Sequence, residues 1–283
     1  MGTNEAFGGS GAAPWEKVRQ EWAELSGDGP DGDAPDKVGE NEPDKAAYDR
    51  LVAALAQALI GEDKDARRPL VPSVPLASAL SGRSTGGSGG AAGGGAGGAG
   101  GGSGGGGSGG RRVTAQAARG GSAIGAATAY RDRDAAALAG YGLTLQELDA
   151  LSPRMRCARI LEVAIGQAGH PDEQAMRDAS VAQVKALVAG TPEAAAISPL
   201  ESIRDFIGEL TVRLGLIELR DQYLAKEVTA AESRNREKGL RQWVKAKIAR
   251  LDLGRYHQVS TTQFHQVARQ MSADVLRLLR GDA

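Results

Sequence analysis

The residues able to do chemistry are few and scattered. Three histidines, His170, His257 and His265, fall in neither an H-x3-H nor an HExxH spacing, so they read as surface or capping side chains and not as metal ligands. Cys157 is the only cysteine, set beside Ala158 and Ile160 on an expected helix, and reads as an inert buried thiol in a reducing compartment. The neighbouring acids Asp172 and Glu173 sit in a first helical turn, where the helix dipole favours them without any catalytic role. No acid–base pair or metal set emerges, so neither an enzyme nor a cofactor is expected. One helix, 234–250, carries Arg234, Arg236, Lys238, Arg241, Lys245, Lys247 and Arg250 against the single acid Glu237. It could follow a nucleic-acid backbone, with Arg241, Lys245 and Lys247 as contacts. A solvated helix face is the other reading, since its one aromatic residue, Trp243, falls on the apolar stripe.

The other chemically distinct group is the start of the chain. Gly2 is small enough for removal of Met1 to be expected, which would free its α-amine. An α-amine has a reference pKa near 8 and is partly neutral at cellular pH, unlike a lysine near 10.4. Thr3 and Asn4 follow, and the segment stays small or polar until Phe7, so it could enter a narrow cleft. The opening lacks the basic and apolar regions of a signal peptide, and no stretch approaches the ~18 apolar residues of a membrane span, so a cytosolic protein is expected.

The elements that must position these groups are divided by a tract of glycine, alanine and serine from Gly86 to Gly110. Its glycines lack the fixed offsets and the following Lys-Ser/Thr of a phosphate loop, so it reads as a flexible tether. The chain then divides into an arm (1–81), the tether (82–110) and a body (111–283). The arm holds 15 acids against 8 bases, the next stretch to residue 130 has four arginines and no acid, and 131–283 carries 22 bases against 20 acids. The arm could therefore lean on a basic surface of the body or of a partner.

Most of the arm is expected to be disordered, with two short helices at about 15–25 and 43–60. Trp15, Val18, Trp22 and Leu25 recur at helical spacing on an otherwise polar segment. A three-turn helix needs something to pack on, either a partner protein or the chain's own body. Residues 26–42 are acidic linker. Pro69, Pro72 and Pro75 stand three apart, as on a polyproline-II ligand.

In the body, Thr144 with Glu147, Ser198 with Glu201, Thr229 with Glu232 and Ser260 with Gln263 read as capping boxes. Ser152-Pro153 and Thr191-Pro192 are further helix starts. Stops are expected near Gly169, Gly190, Gly254 and Gly281. The first helix after Arg111 and Arg112 should be weak, being rich in glycine, although its small residues permit a close neighbour. Ile203, Ile207, Leu210, Leu214 and Ile217 form the strongest apolar seam. Leu240, Trp243, Val244, Ile248 and Leu251 form a second, and Phe264, Val267, Met271, Val275, Leu276 and Leu279 a third. Nothing alternates with period two. The fold class is all-α, a C-terminal multi-helix bundle behind a Gly/Pro-rich arm.

In order along the chain, Met1-Gly2-Thr3 with its Gly/Ser-rich sequel, LVPSVP at 70–75, the Gly-rich tract with Arg111-Arg112, LQELDALSP at 145–153 and SPLESIRDFIGEL at 198–210 resemble the QatB family. That family is the B component of the four-gene Qat anti-phage defence system. Here a tryptophan-bearing helix and an acidic linker precede the LVPSVP run. The resemblance implies a non-enzymatic scaffold for, or substrate of, a QueC-like enzyme (QatC), which could pass an activated deazaguanine carboxyl group to Gly2. It also implies the operon's ATPase and TatD-like nuclease as further partners. The expected partner contacts are Thr3 and Asn4 and, on the helical spacing given above, Trp15, Val18, Trp22 and Leu25.

Overall fold

The computed structural model describes residues 13–25, 45–60, 109–224, 230–256 and 259–282. Its centre is the helix whose composition promised least. Helix α3 (Gly109–Arg131) has 23 residues, and Val113, Ala117, Ile124 and the run Ala126–Ala129 are almost wholly buried. Its glycines are the reason it can occupy the centre. A Cβ at Gly120 would strike the Phe206 ring, one at Gly121 would lie 2.6 Å from the Phe264 carbonyl oxygen, and one at Gly125 would meet Tyr141 and Thr261. Close approach on several sides gives packing that outweighs the roughly 1 kcal/mol per glycine of lost helix propensity. The expected weak helix is therefore the hub of the bundle.

Four long helices surround it: α6 (Pro153–Ile165), α7 (Pro171–Leu187), α9 (Pro199–Leu224) and α11 (Phe264–Arg280). Short helices α4 (Ala135–Gly140), α5 (Leu145–Asp149) and α8 (Pro192–Ala196) fill the turns between them. The start signals act as expected at several ends. Thr144 Oγ1 accepts from Glu147 N, Ser152 Oγ from Met155 N and Thr191 Oγ1 from Ala194 N, while Gly281 ends α11 at φ +93°. Ser260 departs from its expected box: its hydroxyl accepts from Thr262 N and opens a single 3-10 turn before α11. Thr229 lies outside the described residues. Two stops come early, since α6 ends at Ile165 before Gly166 and α7 ends at Leu187.

Helices α1 (Ala13–Glu24) and α2 (Lys45–Ile60), expected on the arm, belong to the bundle. Helix α2 buries Leu51, Val52, Leu55 and Leu59 among α3, α9 and α11, with Leu55 seated over Gly215. Helix α1 lies on α2. Helix α10 (Ala230–Ile248) closes the other side of α9 through Leu240, Val244 and Ile248. All three apolar seams face the core, with Ile217, Trp243 and Leu251 at its margin. Among the described residues there is no strand, and no described helix is long and apolar enough to cross a membrane.

Candidate functional site

Helix α10 is the candidate site, and its charges fall into two groups. Arg236 is only 4 % exposed: it donates to the Trp22 carbonyl at 3.0 Å, pairs with Glu232 and lies 5.9 Å from the centre of the Trp22 ring. Arg241 bonds Glu237 and, at 3.1 Å, Glu209. Lys247 Nζ meets Asp49 Oδ1 at 2.9 Å and donates to the Leu279 carbonyl at 3.2 Å. Burial works against the Asp49 charge, but hydrogen bonds from Lys247 and Trp243 outweigh it and hold its pKa below the ordinary carboxylate range. These bases tie α10 to α1, α2, α9 and α11. Arg234, Lys238 and Lys245 are exposed and form no hydrogen bond or ion pair with a described residue, while the charge of Arg250, also exposed, helps to hold the Asp49 pKa down.

The expected nucleic-acid contacts therefore divide. Arg241 and Lys247 are occupied within the fold, and Lys245 is open. Arg234, Lys238, Arg241 and Lys245 follow at steps of four, three and four, so they share one face of α10, turned away from the face that meets Trp22 and Tyr48.

Beside this face a groove runs between α7 and α10, with α9 as its floor. It has two connected parts, of about 310 and 370 Å³, sharing Asp178, Arg213 and Arg241. Ala175, Ala179 and Ala182 form one wall, and Val212, Leu216 and Ile217 belong to the floor. A bar of ion pairs crosses it: Asp178 to Arg213 at 3.4 Å, Arg213 to Glu209 at 2.7 Å, then Glu209 to Arg241. Periodicity could not show this groove, because it exists only where three separate helices meet.

The expected docking face of α1 is turned inward. Val18 and Trp22 are 0 % exposed, and Trp15 and Leu25 pack at the edge of the same core. The structure thus places these four residues against the chain's own helices, the second of the two alternatives, and not on an open partner surface. Gly2, Thr3 and Asn4 lie outside the described residues, as do His257 and most of the Gly-rich tract. The His170 ring accepts from Asp172 N at 3.3 Å as the cap of α7, and His265 Nδ1 sits 3.1 Å from the Thr262 carbonyl. Cys157 is buried, and desolvation pushes its thiol pKa up, away from nucleophilic use. No group of His, Cys, Asp and Glu among the described residues could hold a metal.

One charged cluster was missed by sequence reasoning. Arg133, at φ 60°, forms two hydrogen bonds to Asp149 at 2.8 and 2.7 Å, and Tyr130 Oη donates to the same carboxylate at 2.8 Å. The Arg133 and Tyr130 bonds hold the Asp149 pKa down to about 2. Arg156 lies 4.6 Å from the Tyr130 ring centre and donates to the carbonyls of Leu148, Leu151 and Val188. Through Arg156 the cluster ties the end of α5 and the loop after it to the end of α7, a structural duty. Comparison with protein-family models, characterised proteins and solved structures finds no match to this chain.

Proposed function

We propose that the chain is a non-enzymatic component of a cytoplasmic anti-phage defence system of the QatB kind, a scaffold for or substrate of a QueC-like enzyme. The ordered set of motifs from Met1-Gly2-Thr3 to SPLESIRDFIGEL supports this reading. The structural observation that carries it is the fastening of α1. Trp22 is buried and its carbonyl is held by Arg236, so the residues before Ala13 are joined to a fixed base. Twelve residues reach at most about 40 Å when extended. That suffices to deliver Gly2 into an enzyme docked on the bundle.

In the proposed reaction, the Gly2 amine exposed by removal of Met1 attacks the activated carboxyl carbon of a deazaguanine acid. A carbon–nitrogen amide bond forms, the bond from that carbon to the activating group breaks with its electron pair going to the departing group, and the amine proton passes to solvent. Intact-mass measurement of the protein made with its operon tests this. The expected result is a mass above that of the chain lacking Met1, abolished by Gly2→Trp. An unmodified mass in cells with working defence would leave a scaffold and remove the substrate role. The ATPase and TatD-like nuclease are the further proposed partners.

A nucleic-acid adaptor is the second reading, favoured by the three unengaged bases Arg234, Lys238 and Lys245. It requires duplex binding that weakens steeply as salt rises.

A further inference from the structure

The open bases of α10 have an acidic counterpart in the same chain. Residues 26–44 join α1 to α2 and carry Asp28, Asp31, Asp33, Asp36, Glu40, Glu42 and Asp44 against the single base Lys37. The helices on either side of this segment are both fastened to α10. At one end, the Trp22 carbonyl is bound by Arg236. At the other, Asp49 in the first turns of α2 is bound by Lys247 and Trp243, and the Tyr48 ring lies over Gly239.

Along α10 the two anchor points, Arg236 and Lys247, are separated by about 16 Å at 1.5 Å per residue. The joining segment extends to on the order of 60 Å. It therefore has ample slack to pass round a helix 10–12 Å across and reach its far face. The acids near that face are already engaged: Glu209 by Arg213 and Arg241, Glu232 by Arg236, and Glu237 by Arg241. The open charges there are all positive.

We propose that the face of α10 bearing Arg234, Lys238 and Lys245 is a docking surface for the chain's own acidic segment 26–42, which covers it in the free protein. Each exposed pair is weak on its own, being screened by water and salt. Tethering at both ends supplies a high effective concentration, and several such pairs act together. The segment is nearly devoid of apolar residues, so it suits this charged face better than the groove beside it, whose own charges Asp178, Arg213, Glu209 and Arg241 are already paired. The same face would meet the phosphates of a nucleic acid, and the segment would compete for it.

The test uses the full chain and a variant in which Asp28, Asp31, Asp33 and Asp36 become Asn and Glu40 and Glu42 become Gln. Both are acetylated with a water-soluble succinimidyl ester at roughly 20 mM salt, a concentration at which screening is weak. Lys185, exposed on α7, is the internal reference. Lys238 and Lys245 should react roughly three- to tenfold more slowly, relative to Lys185, in the native chain than in the variant. The difference should vanish at about 1 M salt. Carbodiimide cross-links should join acids of 28–42 to Lys238 or Lys245 within one chain. Equal relative rates at low salt would overturn the proposal, as would cross-links that run only between chains. Protection that appears only when duplex DNA is added would also overturn it, by showing the face held open for nucleic acid.

Discussion

Replacing Trp22 by alanine separates a core helix from a docking helix. The indole is 0 % exposed, packed with Val18 against α2. Burial of about 200 Å² at about 25 cal/mol/Å² gives a gross value near 5 kcal/mol, and Trp-to-Ala changes in cores cost about 3–5 kcal/mol. The change also takes the ring away from Arg236, a guanidinium with 4 % exposure. Helix α1 has 12 residues and cannot hold itself together once its anchor is gone. The loss is bounded by the free energy that docks α1, so this helix should release before the bundle melts. Two measurements check this: the melting temperature by calorimetry, and the rate of tryptic cleavage after Lys17 and Arg19. The expected fall is on the order of 6–20 °C, from roughly 2–4 °C per kcal/mol in a protein of this size, with faster cleavage at both sites. An unchanged melting temperature and unchanged cleavage, together with loss of a partner, would refute the reasoning and return α1 to the role of a docking helix.

The central helix makes an opposite-looking prediction. Gly121→Ala should destabilise by roughly 1–2 kcal/mol in urea denaturation although alanine is the better helix former, because its Cβ would lie 2.6 Å from the Phe264 backbone oxygen and 2.5 Å from the Ala268 Cβ. A stabilised variant would show that α3 and α11 can separate freely. Acid should weaken the protein partly through Asp149. A carboxyl held at about 2 in the folded chain, against an ordinary 3.8, adds stability that is present above about pH 4 and lost as the pH falls toward 2. Asp149→Asn should flatten the urea midpoint over that window, and an unaltered slope would mean that the pair with Arg133 forms equally in the unfolded chain.

Local signals wrote much of this fold into the sequence. The stripes of α9, α10 and α11 and the caps at Thr144, Ser152 and Thr191 are readable because helix periodicity and capping act over three or four residues. The all-α class followed from them. What local signals could not convey is which faces meet. The glycines of α3 read as weakness, since propensity is a property of a single helix, whereas their value lies in letting Phe206, Ala268 and Tyr141 approach from other helices. The stripe of Trp15, Val18 and Trp22 showed that α1 must be covered but not by what. Contacts with α2 and Arg236, up to 214 residues away in the chain, decided it. The seven bases of 234–250 looked alike in sequence. Only the placement of Asp49, Glu209 and the Leu279 carbonyl divided them into those that fasten the bundle and those left facing solvent, because ion pairing depends on distance in space and not on order along the chain.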